Sequence, residues 1–295
     1  MRAIAERSLA LIQQRYGAIP WRCVTSDNAG MLQDAVTELL DGGAQTLIIA
    51  PSAPIYSHHE EFNGSFRHAI EDVHDWERQH GSKIKVILAP QLGEFAVLRQ
   101  AYLQMLRERL DGLPKRPDVD VKIVVSVHGM PWDFVPHEAW LELAPVYRDA
   151  MVRDVRAMLG SYAFGRREVV LAQDHFADPV NNPKGRYLST NKAFWDGIDA
   201  RFDYVINLPI EFFAENTDTM FSHAMFNFER FPGFDRYQPV DYSDWTVPYT
   251  REFRVRTTRV IYNGLPVGRF NTPIVQAHVQ AIDSILRRGD RDQYL

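Results

Sequence analysis

The chain has 295 residues, 45% hydrophobic and 24% charged, with a formal charge of −5 and a single cysteine, Cys23. That length holds one large domain or two α/β halves, and the charge provides no basic field for DNA or RNA. One thiol excludes a disulfide framework, a cysteine zinc site and an intrachain four-thiolate iron–sulfur cluster.

The opening stretch "MRAIAERSLALIQQRYG" lacks a signal peptide's unbroken apolar core. Its apolar residues keep a helical spacing, so it reads as an amphipathic helix. Apolar, β-branched runs then alternate with helical periods. Strands are expected at 21–26, 46–51, 84–90, 122–129, 168–175, 204–209 and 255–263. Helices are expected at 30–41, 62–79, 94–110, 138–159, 190–200, 218–229 and 272–287. Such alternation indicates parallel sheets covered by helices on both faces. The nearly continuous apolar strands agree, since strands buried on both sides read that way. The proline-rich "DGLPKRPDVD" (111–120) reads as a linker. The aromatic stretch 231–249 reads as an ordered surface excursion.

A faint repeat sets "ELLDGGAQTLIIAP" (38–51) beside "DGIDARFDYVINLP" (196–209). Each is a helix end, a short turn and a buried strand finishing in proline. The repeat favours two similar Rossmann-like halves over one continuous sheet. The halves are placed at 1–115 and 116–295.

In open parallel sheets, ligands bind outside the carboxyl ends of the strands. Two strand ends carry groups suited to chemistry. "IVVSVHGMPWDF" ends a buried strand in His128, and "PIEFFAENTDTMF" places Glu215 and Asp218 just after another. An imidazole facing a carboxylate can hold a borderline divalent metal or move protons. Taken alone, a lone histidine is more often bonded to a neighbouring carbonyl, and Asp218 fits a helix N-cap. "YSHHEEF" (56–62) reads as solvated loop, because adjacent side chains point in different directions. The polar stretch 173–187 follows a strand end but carries no specific motif. No phosphate loop, dinucleotide fingerprint or nucleophile elbow occurs.

The order of these motifs resembles the ferrochelatases of the type II chelatase superfamily. "AVTELLDGGAQTLIIAPSAPIYSHHEEFNGSFRHAI" is similar to a first-half segment with "P-x-x-PQYS" and "TTGS" strings, matched at Pro54, Tyr56, Ser57, Gly64 and Ser65. "VVSVHGMP" resembles "SAHGLP". "INLPIEFFAENTDTMF" resembles "V-P-I-x-F-x-S-D-H-I-E-T-L-Y", and "VIYNGLPVGRF" resembles the closing "LN-x-x-P-x-F".

The resemblance implies two chelatase-type halves with a cleft between them, and a lyase that inserts ferrous iron into a porphyrin in haem biosynthesis. It places His128 as the cleft histidine and Asp218 where the family has its catalytic glutamate. His128, Glu215 and Asp218 would meet the metal, while Tyr56, Met130, Trp132 and Phe212 would line the tetrapyrrole. Fe2+ would be a substrate, with no prosthetic group. Such a chain, with one cysteine and no apolar run of membrane-span length, is expected in the cytoplasm or peripherally at a membrane.

Several departures accompany the match. Asp218 is one methylene shorter than glutamate, about 1.5 Å less reach. Asn216 stands in place of the family's histidine, and Ser222 in place of an acid one helical turn later. Nothing before "WRCVTS" resembles the family's opening strand and lid. The first half is therefore expected to lack its first strand, either because the natural chain begins upstream or because a protein partner binds there. A non-catalytic homologue that binds tetrapyrrole or metal, or serves as a partner subunit, is the alternative reading.

Overall fold

A computed structural model describes residues 2–24, 29–56, 65–129, 143–174, 177–180, 182–185, 188–213, 227–234, 244 and 246–288. The chain forms two compact units. One comprises Met1–Leu98, Ala139–Leu143 and Pro273–Leu295; the other comprises Arg99–Glu138 and Ala144–Thr272.

The first unit begins with helix α1 (Arg2–Tyr16), as the spacing of its apolar residues predicts. Ile4, Ser8 and Ile12, four apart, form its buried stripe, whereas Leu11 and Tyr16 remain exposed. Helix α2 (Ala29–Asp41) leads into β1 (Thr46–Ile49), and α3 (Arg67–His80) into β2 (Lys85–Leu88). β1 and β2 pair in parallel, Thr46 opposite Lys85. Val36 and Leu40 of α2 meet Ala69 and Val73 of α3 over Leu47, a small core made by i,i+4 pairs on two helices. The expected strand at 21–26 does not form over its described residues 21–24. Arg22 there pairs instead with Glu38 of α2.

The second unit holds a six-stranded sheet. Its strands are β3 (Val121–Val127), β4 (Arg167–Gln173), β5 (Leu188–Ser189), β6 (Tyr204–Pro209), β7 (Arg251–Val255) and β8 (Thr258–Tyr262), in the order β5-β4-β3-β6-β8-β7. All pairs are parallel except the edge pair β7–β8. Every residue of β3 and β6 is buried, which accounts for their nearly continuous apolar sequences, interrupted only by the buried Lys122, Ser126 and Asn207. Helices α4 (Ala96–Asp111), α5 (Leu143–Gly160) and α6 (Thr190–Asp199) accompany the sheet. Ser189 caps α6, its hydroxyl accepting from the Lys192 N–H. Phe194 and Ile198 of α6 pack with Val124, Ala172, Val205 and Phe228 in the main core.

The stretch 111–120 lies within the second unit rather than between units. Its end is stitched into the base of the sheet: Asp120 accepts from Arg166 Nε at 2.7 Å, and its N–H donates to Asp203 at 2.8 Å. The strand expected at 255–263 forms as β8, and the unexpected β7 precedes it in a hairpin that turns at Arg256 with φ 57°. The turn carries none of the usual Gly, Asn or Asp signal. Arg256 is held there by Asp199 at 2.6 Å and lies over the Trp195 ring. The last helix, α7 (Thr272–Arg288), forms as expected.

Candidate active site

The strand order of the second unit creates a switch point. From β3 the chain moves to β4 and β5 on one side, then returns through α6 to β6 on the other. Such a reversal leaves a crevice at the carboxyl ends of the strands where it occurs. His128 directly follows β3 and Glu211 is the second residue after β6, so both stand at that end.

The β3–β6 ladder is modified at this point. Ser126 faces Pro209, and the Ile210 N–H donates to the Ser126 carbonyl at 3.0 Å. In a parallel ladder the next step would run from the His128 N–H to the Ile210 carbonyl. Side chains serve both groups. The His128 N–H donates to Glu211 Oε2 at 2.9 Å, and the Ile210 carbonyl accepts from the Tyr147 hydroxyl at 2.7 Å.

Glu211 is in turn bound by Arg148, whose Nε donates to Oε1 at 2.6 Å. Their side chains are only 5% and 1% exposed. A buried carboxylate requires such a partner, and the guanidinium provides it. The neighbouring Phe212 carbonyl accepts from the Tyr102 hydroxyl at 2.8 Å. Burial pushes the Tyr102 and Tyr147 hydroxyls well above the ordinary tyrosine range, so both remain donors. Residues 210–212 are thus held from α4 and α5 at three consecutive positions.

Of the residues singled out in the sequence, His128 and Phe212 are brought together, ring centroids 5.8 Å apart and edge to face. Both are partly exposed. Tyr56 lies in the first unit, 3% exposed. Its hydroxyl donates to the Ala89 carbonyl at 2.9 Å and its ring meets Phe66 edge-on at 5.0 Å. It therefore packs the loop after β1 against the end of β2. Met130, Trp132, Glu215 and Asp218 lie outside the described residues. Among the described residues, no three His, Cys, Asp or Glu side chains are grouped as a metal shell requires.

The polar stretch after β4 has a structural task. Asp174 accepts from Thr190 Oγ1 at 2.6 Å and from Asn227 Nδ2 at 3.0 Å, tying the start of α6 to the strand end. Sequence reading missed Glu211 and Arg148. A signal for Glu211 was present, since it is the one charge in the run "YVINLPIEFF". Arg148 had none, because a buried arginine in a helix reads like its solvated neighbours.

No family model and no curated protein matches the sequence significantly. Among solved structures, SirB from Bacillus subtilis with Fe3+ aligns with a TM-score of 0.56 at 9% identity, over 99% of this chain and 91% of that one. The sirohydrochlorin chelatase SirB from Bacillus subtilis subspecies spizizenii, in complex with cobalt, aligns with a TM-score of 0.47 at 8% identity, over 98% and 92%. The fold is of the chelatase type. Among the described residues, no helix is long and apolar enough to cross a membrane.

Proposed function

We propose that this protein is a tetrapyrrole metal chelatase that inserts ferrous iron into a porphyrin, the reaction that yields haem. The observation that carries the reading is the partly exposed His128 at the switch-point end of β3, in a chain with a SirB-like fold. Metallation must remove two pyrrole protons and admit a divalent cation. A neutral imidazole can accept a proton or ligate the metal. In the sequence Glu215 and Asp218 follow β6 and would supply carboxylate oxygens to the incoming metal. Phe212, Met130 and Trp132 would face a flat, largely apolar ring. The departures at Asn216 and Ser222 favour one competing reading, a homologue that binds tetrapyrrole or metal without turnover or acts as a partner subunit.

The experiment is anaerobic incubation of purified protein with Fe2+ and either protoporphyrin or sirohydrochlorin. Loss of porphyrin fluorescence with turnover supports the proposal. Metallation of sirohydrochlorin alone would keep the chelatase and replace its substrate. A spectral shift of the ring without metallation would favour the non-catalytic homologue.

A further inference from the structure

The replaced ladder step beside His128 gives Glu211 a task that its burial alone does not require. A buried Glu–Arg pair could sit anywhere in the unit. Here its second oxygen is spent on the backbone N–H of the histidine at the strand end. The two strands would otherwise continue to pair at this step. Tyr147 occupies the Ile210 carbonyl, and Tyr102 holds the Phe212 carbonyl. The His128 N–H and the Ile210 and Phe212 carbonyls are therefore held by groups that come from α4, α5 and the β6 end.

We propose that Glu211, anchored by Arg148, is a positioning residue that holds His128 at the mouth of the β3–β6 crevice in one orientation. The inference rests on the chelatase reading for its catalytic consequence and on geometry alone for its structural one. A side chain that must meet a ring and a metal at fixed distances loses rate when its support is loosened, commonly by about 10–100-fold for groups of this kind. Ring binding depends on the walls of the site and is untouched.

The test uses the full chain with Glu211→Gln, and with the paired replacement Arg148→Met and Glu211→Met, which removes both charges and keeps the fold accessible if the single variant unfolds. Two readouts are taken. The first is metallation, where kcat is expected to fall about 10–100-fold with KM for the porphyrin unchanged. The second is NMR of the metal-free protein. There the His128 amide is expected to exchange faster with solvent, and its ring signals to change from one orientation to an average. Full kcat in a folded variant would overturn the catalytic part. Unchanged amide exchange and ring signals would overturn the positioning role itself. If the wild-type chain metallates neither ring, the chelatase reading fails, and the NMR readout alone decides whether Glu211 holds His128.

Discussion

Arg148 donates its Nε to Glu211 Oε1 at 2.6 Å in a site where both side chains are buried. Breaking one half of such a pair leaves a buried charge without its counterion. Arg148→Ala or Glu211→Ala is expected to destabilise the protein by about 3–5 kcal/mol. Replacing both by apolar residues of similar volume should cost clearly less than the sum of the single changes. Denaturant unfolding of the single and double variants checks this, and additive losses would contradict the coupling.

His278 of α7 is 4% exposed, its Nε2 3.1 Å from Ser52 Oγ, and burial lowers its pKa from 6.5 to about 4. The unfolded chain therefore takes up the proton more readily than the folded one. Stability is full above about pH 6.5 and falls as pH drops towards 4. The loss attributable to this residue is about 3 kcal/mol. His278→Gln should flatten that part of the stability profile, measured by unfolding between pH 7 and 4. An equally steep fall in the variant would place the acid sensitivity elsewhere.

Gly264 has φ 76°, and a Cβ there would run into the Tyr249 carbonyl oxygen. Gly264→Ala is expected to destabilise by about 1–3 kcal/mol from backbone strain, with the clash added. Gly160, at the end of α5, has open space where a Cβ would go. Gly160→Ala should leave the melting temperature unchanged or raise it slightly. Thermal melts of the two variants decide, and equal effects would remove the conformational argument.

The parallel strands of the second unit were legible because β3 and β6 are buried on both faces, so their sequences are mostly apolar rather than alternating. The repeat at 38–51 and 196–209 likewise marks a helix, turn and strand in each unit: α2 with β1, and α6 with β6. The hairpin at Arg256 was hidden, because a charged residue held by a distant aspartate can take a left-handed turn without the glycine that normally announces one. "WRCV" misled because three apolar residues around one charge have little strand character, and the charge, Arg22, pairs with α2 instead. His128 was visible as a histidine ending an apolar strand. Its support was not, since Tyr102, Tyr147 and Arg148 come from other elements and are assembled only by the fold.

Asp218 lies beyond β6 in the sequence and is proposed to act as a carboxylate on the metal or the pyrrole protons. Asp218→Asn is expected to lose metallation while keeping stability, since asparagine caps a helix almost as well as aspartate. Asp218→Glu should retain or raise the rate, because it restores the longer reach of the resembling family. Metallation assays paired with melts test this. Loss of stability in both variants, with undiminished rate per folded molecule, would show that Asp218 only caps a helix.

The most direct measurement is the metallation rate of His128→Ala beside the wild-type chain, followed by porphyrin fluorescence with Fe2+ or Zn2+. His128 is partly exposed and its ring touches Phe212 only at the edge, so its removal should leave the melting temperature nearly unchanged. The account predicts that the wild-type chain metallates the ring and that the variant, equally folded, does not. Equal turnover by the two proteins would contradict it.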